Sequence, residues 1–219
     1  MTRAQPDGGP AAGGDPLDRP YVFLPAEGRP AGPPLLLLHG TGGDEHDLLP
    51  LRAHLSPGAP VLSPRGTVLE NGMPRFFRRL AEGVFDEADL SARADELAAF
   101  VQAAGEQHEV APSDLVAVGF SNGANIASAL LLRHPGLLAG AVLVAAMVPF
   151  ADPPPADLTG TRVVVSNGRR DPLIDQAETA LLVAQLRERH ADVRELPHAG
   201  GHALDPGVVS EVARLLARP

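Results

Sequence analysis

Cysteine is absent from the 219-residue chain, and that one absence removes disulfides, thiolate metal sites and a cysteine nucleophile together. Lysine is absent as well. All 18 basic residues are arginine, which reads as a coding bias of the genome with no bearing on function. Positive charge is in deficit: 27 acidic residues against 18 basic ones give a formal net charge of −9, the opposite of what a nucleic-acid surface requires. Long apolar runs are missing, each candidate being interrupted by His, Arg or Pro within a few residues, so no membrane insertion is expected. Met1 to Pro20 is rich in Gly, Pro and Ala and has neither the basic start nor the apolar middle of a signal peptide. The expectation is a flexible tail over 1–20, a single domain over 21–219 and a cytoplasmic location.

What the chain does contain is an alternation of short apolar runs with longer amphipathic ones. Leu35–Leu38, Val61–Ser63, Leu115–Phe120, Ala141–Val144, Arg162–Ser166 and Val193–Leu196 have strand length. Most are apolar at successive positions, the pattern of strands covered by helices on both faces. Between them, Leu90–Ala104, Ala177–His190 and Val208–Ala217 carry a helical stripe, the last entered through Asp205-Pro206. The alternation predicts an α/β fold with a mostly parallel central sheet and helices on both faces.

The most informative stretch is Leu115 to Ala127, which holds G-x-S-x-G as Gly119-Phe120-Ser121-Asn122-Gly123. In a chain this rich in glycine the five-residue pattern alone is weak; its setting gives it weight. A buried strand leads in and a helix leads out, so the turn is tight and the serine sits strained at its apex beside a helix N-terminus. Glycine two before and two after removes side chains that would collide there. The competing reading is a Gly-rich strand-to-helix turn with an incidental serine.

Leu35–Leu38 runs into His39-Gly40-Thr41-Gly42-Gly43-Asp44-Glu45-His46. A Gly-rich loop after a strand can bring a backbone N–H to about 3 Å from a developing oxyanion, and the amides of Thr41 and Asn122 are the expected donors. The same loop offers metal-ligand residue types, but not at a recognised metal-site spacing, so no metal is expected. Asp44 can instead cap a helix beginning near His46.

An acid and a base are sought after Ser121, in the order Ser, Asp or Glu, His. Asp171 follows the strand Arg162–Ser166 and a Gly-containing turn, ahead of Asp175, read as a helix cap, and of Asp152 and Asp157 in a Pro-rich loop. Of eight histidines, His134 and His190 end helices, and His54 and His108 lie in segments without catalytic context. His198 and His202 share a loop between the last strand and the last helix. His202 is preferred as base because it follows Gly200-Gly201, whereas His198 adjoins the strand end. The loop from Ser63 to Ala88 can line a crevice, with Phe76 and Phe77 as apolar walls and Arg75 or Arg78 as polar anchors. Phe in the core and Arg in solvent is the equal alternative. Met147 and Val148 are further pocket candidates. Only Pro149 to Leu158 separates that strand from the next, too little for a separate cap domain.

Together these stretches resemble the carboxylesterase/phospholipase-type branch of the α/β-hydrolases, which includes acyl-protein thioesterases and small bacterial esterases. Ser63-Pro64-Arg65-Gly66 and Gly72 through Arg79 look like the bacterial subgroup linked to aromatic and hydroquinone-type compounds. The thioesterases usually carry Gln where Asn122 stands, and the related dienelactone hydrolases use a cysteine that this chain lacks. The resemblance implies an α/β-hydrolase domain over 21–219 and a serine carboxylesterase acting on small or medium esters, with Ser121, Asp171 and His202 as triad. It implies no cofactor and a small-molecule ester as partner, and a homodimer is an assembly open to it. Acyl thioesterase or lysophospholipase activity is the enzymatic alternative, and a ligand-binding module of the same fold is the non-enzymatic one.

Overall fold

The computed structural model describes residues 14–217. In chain order the elements are β1 (Tyr21–Leu24), β2 (Leu35–Leu38), α1 (Leu51–Leu55), β3 (Val61–Pro64), β4 (Val68–Glu70), β5 (Met73–Arg75), β6 (Arg79–Ala81) and β7 (Val84–Phe85). They continue as α2 (Glu87–His108), β8 (Val116–Phe120), α3 (Asn122–Arg133), β9 (Gly140–Val144), β10 (Arg162–Ser166), α4 (Gln176–Arg187), β11 (Asp192–Glu195) and α5 (Pro206–Leu216). Seven strands form one sheet in the order β1-β3-β2-β8-β9-β10-β11. All neighbours are parallel except the edge strand β1, which runs antiparallel to β3.

The sheet's composition follows from having both faces covered. Leu36, Leu38, Ala117, Ala141, Leu143, Val163 and Val165 point into a core shared with α2, α3 and α4. Their neighbours Leu35, Leu37, Val116, Val118, Val142, Val144 and Val164 point the other way, toward α1 and α5. Successive strand residues face opposite sides, so an uninterrupted apolar run is what two buried faces require. Three helices begin on an aspartate whose side chain accepts backbone N–H bonds: Asp86 for α2, Asp175 for α4, and Asp205, followed by Pro206, for α5.

Several expectations need correction. No helix begins near His46: Asp44 Oδ1 accepts the His46 N–H at 2.8 Å in a run of turns, and α1 starts only at Leu51. Pro50 has no N–H to donate back to the His46 carbonyl, so a regular helical ladder cannot pass through it. The Ser63–Ala88 segment is not an irregular loop but carries two hairpins, β4–β5 and β6–β7. Of the expected tail, residues 1–13 lie outside the described residues. Leu17, however, packs on the larger core, and Arg19 stands 5.2 Å over the Phe100 ring, so the stretch from Leu17 to Arg19 is docked.

Candidate active site

The chain leaves β2 for β3 on one side, then returns to place β8 on β2's other side. At such a reversal the connections diverge and open a crevice at the carboxyl ends of the strands. The His39–Gly43 loop leaves β2 there and Ser121 leaves β8, so topology alone juxtaposes them.

Ser121 holds φ 52° and ψ −114°, a left-handed conformation that a side chain rarely adopts. The flanking glycines explain how it fits. A Cβ on Gly119 would lie 2.4 Å from the Gly123 carbonyl oxygen, and one on Gly123 would lie 2.0 Å from that of Leu38. Ser121 precedes α3 yet makes no side-chain capping bond. Its Oγ lies instead 2.9 Å from His202 Nε2.

His202 Nδ1 lies 2.8 Å from Asp171 Oδ2, and the Asp171 side chain is fully buried. The other carboxylate oxygen accepts the Leu173 N–H at 2.9 Å, which fixes the plane of the group. The loops bearing the two residues are laced together by Arg169 N–H to His198 O at 2.8 Å and Arg170 N–H to Gly200 O at 3.0 Å. Phe120 packs against the His202 ring at a centroid distance of 5.4 Å. His198 is turned inward, buried, its Nδ1 accepting the Gly200 N–H at 3.2 Å. It shapes the loop and lies away from the serine's hydrogen bond.

On the other side, the N–H groups of Thr41 and Asn122 have no acceptor among the described residues. For Asn122, first residue of α3, this is the ordinary state of a helix N-terminus. Three consecutive residues at the end of the first hairpin and just past it brace this region. The Pro74 carbonyl accepts the Gly42 N–H at 2.9 Å, Arg75 Nη1 donates to Thr41 Oγ1 at 2.7 Å, and the Phe76 N–H donates to Asn122 Oδ1 at 2.7 Å.

His39 anchors the base of the Thr41 loop. Its Nδ1 lies 2.7 Å from the Gly40 carbonyl, and its Nε2 accepts the Gly66 N–H at 2.9 Å, which requires the neutral ring. Burial accordingly lowers its pKa below the ordinary 6.5, against a smaller opposing effect of the Gly40 carbonyl. As pH falls through that ordinary value the unfolded chain takes up a proton that the native chain refuses. His39 thus contributes stability at neutral pH that declines as pH drops toward its folded pKa. Urea melts between pH 7 and 5 are expected to show a steeper loss for the parent than for His39→Gln; parallel curves would contradict the assignment.

A cavity of about 320 Å³ opens at Ser121 and His202. Met147 lines it, and so does Arg75, although that side chain is largely engaged within the protein. Phe76 and Phe77 do not: at 3% and 0% exposure they belong to the core under the hairpin. Phe76 packs on the His39 ring, Phe77 against Phe85, and Phe85 is the aromatic that reaches the cavity. Arg78, the other anchor considered, pairs with Asp86 at 2.8 Å.

Sequence reasoning missed Arg79, Phe85, Asn125 and Ile174 on the cavity wall. Asn125 was within reach, being one helical turn beyond Ser121 and so on the same side of α3. Its Oδ1 accepts the Met147 N–H at 2.8 Å, while Asn167 and Glu178 take the N–H groups of Ala146 and Val148. This row of side-chain acceptors holds the turn after β9, where Ala145 adopts φ 54°.

Asp44, Glu45 and His46 bring one ligand atom each within 4.8 Å of one another. Arg65, however, engages both oxygens of Glu45, one of them at 2.8 Å, so the most buried of the three carries its own counter-charge.

The chain belongs to the phospholipase/carboxylesterase family, whose model matches residues 21–217. It is similar to MhqD of Bacillus subtilis (strain 168), named as a hydrolase, with 48% identity over 170 residues covering 78% of this chain and 85% of that one. Among solved structures, the Bacillus cereus carboxylesterase superposes with a TM-score of 0.87 at 44% identity, covering 91% of this chain and 94% of the other. The carboxylesterase of Mesorhizobium loti gives 0.85 at 31% identity, covering 93% and 97%. The fold is therefore that of the α/β-hydrolases, and the class is that of carboxylic ester hydrolases. No helix among the described residues is long and apolar enough to cross a membrane.

Proposed function

We propose that the chain is a serine carboxylesterase for small or medium carboxylic esters, working through Ser121, His202 and Asp171. The observation that carries this reading is the relay of 2.9 Å and 2.8 Å from a strained serine through one imidazole to a buried carboxylate. Ser121 Oγ attacks the carbonyl carbon as its proton passes to His202 Nε2. Asp171 accepts from Nδ1–H and stabilises the imidazolium. The carbonyl oxygen, now an oxyanion, accepts from the N–H groups of Thr41 and Asn122. Collapse breaks the ester C–O bond, and the alcohol leaves with the proton from His202. Water repeats the sequence on the acyl-enzyme, releasing the acid and restoring Ser121.

The cavity volume and the helix-free connection between β9 and β10 support small or medium substrates. The test is turnover of short p-nitrophenyl esters beside a matched ester–thioester pair. Esters are expected to be cleaved, and faster than their thioesters. Failure on every ester would overturn the reading; a faster thioester would move it to acyl thioesterase.

Arg75 is a positioning residue here, because its bond to Thr41 fixes one oxyanion donor from behind. Losing such a donor outright costs about 10²–10³ in kcat, so loosening it through Arg75→Met is expected to cost about tenfold or more. KM should hardly move, and Arg75→Lys should recover part of kcat. A change confined to KM would point to substrate binding instead.

A further inference from the structure

We propose that the cavity beside Ser121 contains a carboxylate subsite built on Arg79, and that the preferred substrates are esters carrying a second, ionised carboxyl group. This rests on the reading of Ser121 as nucleophile and adds the chemical class of substrate.

The two hairpins place two guanidinium groups, Arg75 and Arg79, on the cavity wall. They share one carboxylate. Glu70 Oε1 accepts from Arg79 Nε at 2.9 Å, and its Oε2 lies 3.1 Å from Arg75 Nε, whose N–H is directed at the Phe77 carbonyl. Against Glu70 alone the two cations leave a formal positive charge on this part of the wall, and Glu82 is the other carboxylate at the lining.

That charge is not equally available on the two side chains. Arg75 is buried and committed to Thr41 and Phe77. Arg79 uses only Nε; neither of its Nη atoms has an acceptor among the described residues, and its side chain is 30% exposed. A guanidinium held through Nε, with both Nη groups free, presents the fork that a carboxylate fills with two bonds. Holding the group in place needs only the Glu70 contact. Arg79 lines a cavity whose walls also include apolar Phe85, Met147, Leu173 and Ile174, suited to the carbon chain of a substrate.

The chain as a whole carries −9, so its overall field does not attract an anion. A local cation is needed for that, and guanidinium stays charged at every working pH. Glu82 is the carboxylate that could cancel it. It stands in the exposed turn of the second hairpin, where solvent screens it.

The test compares kcat/KM for monoethyl glutarate with that for ethyl pentanoate, and for β-acetoxypropanoate with that for propyl acetate. The first pair places the charge on the acyl side and the second on the alcohol side. For at least one pair the parent enzyme is expected to favour the charged ester, and Arg79→Gln is expected to lower that ratio by about 10- to 100-fold, the range of a charge-assisted bond. Arg79→Lys should retain part of the preference, and Glu82→Gln should raise it. A parent that prefers the neutral ester in both pairs, or a ratio unmoved by Arg79→Gln, overturns the subsite. Calorimetric titration of glutarate onto Ser121→Ala, with and without Arg79→Gln, reads the subsite without turnover. Binding weakened tenfold or more by Arg79→Gln supports it even if no ester is cleaved; equal or undetectable binding in both opposes it.

Discussion

Replacing Ser121 by alanine is expected to lower kcat on the order of 10⁶-fold, the loss found when a nucleophile that acts as a unit with its base is removed. The size follows from how little else in the cavity could substitute. The chain has no cysteine, and no lysine to serve as an alternative nucleophile. Ser121 Oγ is also the group that meets His202 Nε2, at 2.9 Å. The stability cost should be small or even reversed. The residue makes no capping bond, and its left-handed φ of 52° strains alanine and serine alike. Any residual rate would report the Thr41 and Asn122 amides acting on water attack. A loss of tenfold or less, with unchanged melting, would mean that the hydrolytic nucleophile lies elsewhere.

Asp171→Asn is expected to cost about 10⁴ in kcat at neutral pH while leaving the fold intact. The buried carboxylate takes two bonds of different kinds. Oδ2 faces His202 Nδ1 at 2.8 Å, and Oδ1 accepts the Leu173 N–H at 2.9 Å. An asparagine has one carbonyl oxygen, and keeping it on Leu173 turns the amide N–H₂ toward Nδ1. Nδ1 must then accept, which places the ring proton on Nε2 facing Ser121, the wrong tautomer for a base. The measurement is kcat against pH for parent and variant, with the thermal midpoint recorded beside it. Unaltered kcat would remove Asp171 from the relay and return attention to the rest of the His202 environment.

The candidate site was legible where the backbone forces a spacing. Gly119 and Gly123 single out Ser121 because a Cβ at either would collide with Gly123 or Leu38 backbone. The strands could be read because two buried faces write themselves as runs such as Leu35–Leu38 and Arg162–Ser166. The hairpin segment was hard for the opposite reason. Phe76 and Phe77 are apolar whether they line a crevice or fill a core, and only the direction of the β5–β6 connection decides it. Arg79 and Arg78 are chemically identical neighbours, one on the cavity wall and the other paired to Asp86. One signal was present and unused: Asn71-Gly72, with φ of 52° and 79°, is the two-residue turn that closes β4 on β5. The strain at Ala145 left no trace in the sequence, since alanine does not advertise a left-handed backbone. The short β1 is bounded by Pro20 and Pro25, which leaves too few residues for a period to show.

The central claim is that Ser121 is an activated nucleophile, and reaction with a fluorophosphonate tests it most directly. Stoichiometric phosphonylation, mapped by mass spectrometry to the peptide containing Ser121 and abolished or greatly slowed in His202→Ala, is the predicted result. Labelling at another residue, or an unmodified and folded protein after prolonged exposure, would contradict it.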